Sequence, residues 1–224
     1  MIDLNITTQG VDKLALFAAK LRGDLPFAQS VAINATAFEV RKQLNQDTTQ
    51  HLDNPVPFTK RAFLVEKGNK RDLTARVGLS DRHSYLIPQI IGGRRGYKSY
   101  EGLIKGLADG AISRPAQLVP EEGILNRYGN PRRSIFQDLE GKIDTGKGGI
   151  FIGKPLGKSK RNKVREFGVW QRPKNKKGQL VPLFYVTNTK AQYQPELPME
   201  RTAATTISEA FPRQMRQALL KVLS

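Results

Sequence analysis

The sequence predicts an α+β fold: an antiparallel sheet packed by three helices, with a long glycine-rich insertion. Strand-like runs, rich in β-branched and aromatic residues or alternating apolar with polar, occur at Ile2–Ile6, Thr59–Leu79 and Gly148–Asn188. Stretches with apolar residues at three- and four-residue steps lie towards both ends of the chain. Between them, residues 92–147 hold 10 of the chain's 20 glycines and offer one plausible helix, Tyr100–Leu107.

Taken in order, Ile2, Leu4 and Ile6 alternate with Asp3 and Asn5, a short strand with one buried face. A helix follows from Gly10, with Val11, Leu14, Phe17, Ala18 and Leu21 on one stripe, and Gly23 is expected to end it. A second helix is expected from Asp24, a good N-cap, to about Asn45, with Pro26 in its first turn. Its apolar residues fall on two faces. Ala28, Val31, Ala32, Ala35 and Phe38 form one; Ile33, Ala37, Val40 and Leu44 form the other. Such a helix is either central in its own domain or shared between a core and a neighbouring subunit, and the second alternative makes Ile33, Ala37, Val40 and Leu44 an expected subunit interface.

Thr59–Val65 and Leu73–Leu79 read as a hairpin around the polar turn KGNKRD. The turn-rich 92–147 segment, anchored by Tyr97, Tyr100, Ile124, Leu125, Tyr128, Ile135, Phe136 and Leu139, reads as an ordered arm that packs against a partner. Ile150–Ile152, Phe167–Trp170 and Leu180–Val186 then form a meander, with Trp170 and Tyr185 expected in its core. A last helix runs from Pro198 to Ser224 and carries Pro212, which should kink it near Ser208. The expected organisation is thus 1–91 (strand, two helices, hairpin), 92–147 (arm) and 148–224 (meander and last helix, completing the first domain).

Charge narrows the function. The chain of 224 residues carries a net +17, and ten Lys or Arg stand against one acid, Glu166, between Lys154 and Lys177. The cations fall in the two connections of the meander: Lys158, Lys160, Arg161 and Lys163 in the first, Lys174, Lys176 and Lys177 in the second. Packed this closely they repel one another, so they are expected to face nucleic acid or an acidic partner.

The absence of cysteine excludes disulfides, thiol catalysis and thiolate metal sites. No apolar run approaches the ~20 residues that span a bilayer, and MIDLNITTQG has neither the basic nor the apolar region of a secretory signal. A soluble protein, or one assembled inside a cell, is the expectation. Gly141–Lys147 matches most of a phosphate-binding P-loop, but Gly148 replaces the hydroxyl residue that would bind magnesium, and a strand follows where a helix is needed. His51 with Asp53, and His83 with Asp81, read as exposed turn residues without a third partner. Adjacent Glu121 and Glu122 point apart. No enzymatic activity, cofactor or metal is expected.

Two blocks, PFTKRAFLVEKGNKRDLTARVGL with YLIPQIIGGRRGYKSYE (Pro57–Glu101), and FGVWQR, LVPLFYV and FPRQMRQAL (Phe167–Leu219), resemble tail completion proteins of tailed bacteriophages, the minor tail protein Z type. The preceding helix, FAQSVAINATAFEVRKQL, shares their small-residue, asparagine-bearing character. The resemblance implies a non-enzymatic structural virion protein at the neck, the head-proximal end of the tail, assembled in the host cytoplasm. It implies a homo-oligomeric ring, expected to be six-fold, around the DNA channel. Its neighbours would be the tail terminator, the tail tube and the head connector, with genomic DNA in the channel and no membrane. The competing expectation is a free nucleic-acid-binding protein without sequence preference.

Overall fold

The computed structural model describes residues 9–113, 116–143, 149–155, 166–172, 180–189 and 191–223. The chain is α+β. In order come α1 (Gln9–His51), β1 (Phe63–Glu66), β2 (Arg76–Leu79), α2 (Ile87–Ile91), β3 (Gly93–Arg94) and α3 (Ser99–Leu107). They are followed by β4 (Gln117–Pro120), α4 (Arg133–Lys142), β5 (Ile150–Gly153), β6 (Gly168–Gln171), β7 (Val181–Thr187), β8 (Gln192–Tyr193) and α5 (Met199–Leu223). The expected strand Ile2–Ile6 lies outside the described residues. None of the described helices is long and apolar enough to cross a membrane.

The described residues up to Leu86, with those from Pro195 on, form one compact unit; those between Ile87 and Gln194 form the other. In the first unit α1 is one helix of 43 residues, not two. Gly23 does not end it and Pro26 lies inside it. Glycine and proline cost a helix interior about 1 and 3 kcal/mol, penalties that a long hydrogen-bonded ladder can absorb.

α5 runs antiparallel along α1. Thr202 donates to Asp47, Arg213 and Gln214 to Glu39, and Ala218 packs between Ala28 and Ala32, flanked by Met215, Leu219 and Val222. Alanines at the contact let two helices approach closely. α5 passes through the exposed Pro212, which supplies no N–H to Ser208.

The hairpin is confirmed as an antiparallel pair, Phe63 facing Leu79 and Glu66 facing Arg76, but it is a separate two-stranded sheet and not part of a single larger one. Two asparagines of α1 hold it. Asn34 Nδ2 donates to the Gly68 carbonyl at 2.8 Å and its Oδ1 accepts the Gly68 N–H at 2.9 Å; Asn45 Oδ1 accepts the Phe63 N–H. A Cβ on Gly68 would come within 2.9 Å of the Thr74 carbonyl oxygen, so glycine suits this bracket.

The second unit holds a four-stranded antiparallel sheet in the order β4-β7-β6-β5, and the pair β3–β8. The three meander strands lie where the sequence predicts them; β4 is an addition. Pro120 is tolerated because β4 is an edge strand. Pro182, in the interior strand β7, faces Trp170 where the register shifts at a bulge, the other place a strand accommodates proline.

The described residues of the 92–147 segment do not form an arm. Ile104 of α3, Ala108, Ile112, Ala116, Leu118, Ile124 and Leu139 of α4 are buried in one cluster with Ile150, Val169, Leu183 and Phe184 of the sheet. Stacked and tilted contacts among Tyr100, Phe136 and Phe184 fill its centre. Of the anchors expected to meet a partner, Tyr100, Ile124, Ile135, Phe136 and Leu139 join this cluster instead, while Tyr97 stays exposed; the segment contributes strand β4 and the helices α3 and α4 to the second unit.

Candidate nucleic-acid interface

The sequence from Ile87 to Gln194 has 21 basic and 8 acidic residues, a net +13, against +4 for the remainder with 16 and 12. The second unit therefore carries most of the charge. Lys158, Lys160, Arg161, Lys163, Lys174, Lys176 and Lys177 all lie outside the described residues. Their anchor points are described. The first basic connection leaves from Gly153 and returns at Gly168, a paired position; the second leaves past Gln171, which pairs with Val181. These are opposite ends of β6, about 10 Å apart at ~3.3 Å per residue.

The roots are built firmly. A Cβ on Gly168 would come 2.4 Å from the Phe184 carbonyl oxygen, so only glycine lets β6 approach β7 here. Arg172 N–H donates to the Gly149 carbonyl at 2.9 Å, and its guanidinium lies 4.1 Å from the Phe151 ring centroid. Trp170 is buried and meets Tyr185 edge-on at 6.2 Å, so both are packing residues, as expected. The pleat places them on the face opposite Val169 and Phe184. Tyr185 is half-buried, and burial together with the nearby Glu121 carboxylate pushes its hydroxyl above the ordinary range.

A buried ion pair organises the segment before α3. Glu101, with no exposed surface, accepts from Arg95 Nη1 at 2.8 Å and Nη2 at 2.9 Å, from the Lys98 N–H at 2.8 Å and from the Leu118 N–H at 2.9 Å. Burial alone would raise its carboxyl; the fork of Arg95 and the two backbone donors outweigh it and hold the group below its ordinary value. Arg95 is raised by the same hydrogen bond. Burial and then Arg95 lower Lys98, while burial and Glu101 push the Tyr100 hydroxyl up to about 12. The sequence analysis did not single out this pair. A glutamate at the third position of a helix, with an arginine in the preceding loop, was the available signal.

The expected subunit interface is corrected. Ala37, Val40 and Leu44 are buried within the first unit, at 6%, 2% and 2% exposure, and Ile33 is half-buried. Besides α5, the helix α1 contacts β1, β2 and the turn Thr59–Arg61, so the chain itself covers most of both apolar faces, with Val31 left exposed.

His83 is likewise not an exposed turn residue. It is buried, stacked on Phe58 at 4.0 Å, and its Nε2–H donates to the Phe58 carbonyl at 3.0 Å. His51, exposed at the end of α1, donates from Nδ1 to the Asp47 carbonyl at 3.0 Å. Among the described residues no group of three or more His, Asp or Glu side chains converges.

No family model, curated protein or solved structure matches this chain.

Proposed function

We propose that the chain is a structural virion protein of a tailed phage, a tail completion component of the neck that assembles as a ring around the DNA channel. The observation that carries the reading is the charge of the second unit. Its net +13 is concentrated in connections rooted on a rigid four-stranded sheet, the arrangement expected of a scaffold presenting cations to a polyanion. The resemblance of Pro57–Glu101 and Phe167–Leu219 to tail completion proteins supplies the neck and the ring. The basic loops contact DNA as phosphate neutralisers, without reading sequence, and the protein catalyses nothing.

A second reading, a free nucleic-acid-binding protein without sequence preference, is favoured by a specific observation. The two-faced helix and the 92–147 segment, which would serve a subunit locked between neighbours, are both satisfied within one chain. Only the resemblance and the assembly state then separate the two readings. Negative-stain images decide between them: the purified protein should form closed rings, and particles lacking it should show unjoined heads and tails. A strictly monomeric protein, with joined particles in its absence, overturns the neck reading and leaves the second.

A further inference from the structure

A second cationic surface lies on the first unit, away from the meander connections in sequence. The last third of α1 and the turn Thr59–Arg61 enclose an open groove of about 580 Å³. Arg41, Lys42, Lys60 and Arg61 line it, and no carboxylate does. None of the four forms an ion pair among the described residues. The acids of the same stretch of helix are engaged elsewhere: Glu39 with Arg213 and Gln214, Asp47 with Gln43 and Thr202.

The helix dipole does not account for these cations, because its effect fades within the last turn and Arg41 stands ten residues before His51. Two are also fixed in place. The Arg41 guanidinium sits 4.9 Å from the Phe38 ring centroid, and Arg61 Nε donates to the Pro57 carbonyl at 3.3 Å.

We propose that this groove seats the phosphodiester backbone of duplex DNA. The other lining side chains are Asn45, Gln46, Thr49 and Gln50, all amides or hydroxyls. Such groups, with Lys and Arg, make the backbone contacts that position a protein on DNA. Every lining side chain ends in a cationic or neutral polar group. Arg41, Asn45 and Thr49 follow one another at four-residue steps, as do Lys42, Gln46 and Gln50, and together they make two adjacent rows along α1. The rows extend about 12 Å along the helix. The inference deepens the DNA-facing reading of the proposed function, on which its biological setting rests, and adds a contact that the meander connections do not provide.

The test is a salt titration of full-length protein on a labelled mixed-sequence duplex. It compares the parent, the groove variant Arg41→Gln/Lys42→Gln/Lys60→Gln/Arg61→Gln, and the loop variant Lys158→Gln/Lys160→Gln/Arg161→Gln/Lys163→Gln. Each groove cation removed should flatten the log–log salt slope by about 0.9. From about 50 to 200 mM salt the parent should then lose about 100-fold more affinity than the groove variant. The pair Lys42→Gln/Lys60→Gln removes only exposed ammonium groups and gives half the slope change, should the fourfold variant lose its helical circular dichroism. Arginine–lysine exchanges at the four positions should restore the slope.

A groove variant with the parent's slope overturns the proposal. If only the loop variant changes, DNA binding stands and the groove has no part in it. Loss of binding to poly-glutamate without loss of duplex binding overturns it in favour of an acidic protein partner. Failure of the parent to bind duplex at all sinks both the proposal and the DNA-facing reading, whereas ring images bear on the neck reading alone.

Discussion

In the first unit the α1–α5 contact and the hairpin bracket rest on small residues and neutral polar groups; the second unit packs large side chains around a buried charge. Ala28, Ala32 and Ala218 set how closely α1 and α5 approach, and Asn34 and Asn45 bracket the hairpin through its backbone. In the second unit Phe184, Leu118, Leu139 and Ile150 are almost fully enclosed, and Glu101 lies buried among four donated hydrogen bonds. Among the described residues, the more strongly charged unit thus draws one carboxylate and one guanidinium inside and leaves most of its other charges at the surface. Damage to its interior should be severe, while changes to its surface should alter binding and leave the fold.

The largest expected effect breaks this comparison at Glu101. Glu101→Gln removes the charge facing Arg95, whose side chain is only 14% exposed. Breaking one partner of a buried pair costs about 3–5 kcal/mol. Hydrogen exchange should then show β4 and β7 losing protection while the α1–α5 pair keeps its own. Equal loss in both would mean that the units do not open separately.

The same residue gives an acid limit. Its carboxyl is held below the ordinary 4.5, so its contribution is complete above that value and is lost as pH falls towards the folded-state value. Tyr100 gives the opposite limit. Its hydroxyl is raised from 10.0 to about 12, so the unfolded chain ionises first and stability falls as pH rises through that interval. Tryptophan fluorescence of Trp170, the chain's single tryptophan and a residue of the second unit, follows both limits. Glu101→Gln should abolish the acid dependence that this group supplies.

Next in size is Gly168→Ala. The added methyl would meet the Phe184 carbonyl oxygen at 2.4 Å, which β6 can relieve only by moving off β7. Such overpacking costs about 1–3 kcal/mol. Gly102→Ala is the control, since nothing lies within 4 Å of that Cβ position and the residue is inside α3, where alanine is the better helix former. If both substitutions shift the denaturation midpoint equally, the close approach of β6 and β7 does not matter to stability.

The meander, the hairpin and α3 were legible because their apolar residues repeat at the period of the element they form. β4 was not. QLVP is four residues ending in proline, and only pairing with β7, more than sixty residues later, makes it a strand. α4 has apolar Ile135, Phe136 and Leu139 at helical spacing, but Arg133 occupies its first position, where the helix dipole disfavours a cation. The two-faced α1 showed that both faces are covered without showing by what. Its asparagines held that information, since a polar side chain in the middle of a long helix is apt to have a backbone partner to satisfy. Of the candidate site, the concentration of charge was readable; the Glu101 pair depends on a loop folding back over a helix start and was not.

The smallest effect sharpens the comparison from the other side. Arg213 donates to Glu39 at 2.6 Å, joining α5 to α1 by charge beside the alanine contact of the same two helices. The Arg213 and Glu39 side chains are 57% and 32% exposed, so water and salt screen their attraction. Exposed pairs of this kind contribute about 0–1 kcal/mol. Gln214 also donates to Glu39, so the carboxylate keeps a partner after Arg213→Gln. That variant should therefore shift the urea midpoint only slightly, and the shift should vanish at high salt. A loss comparable to that of Glu101→Gln would show that charge matters as much to the helix pair as to the sheet unit, and the distinction between the units would fail.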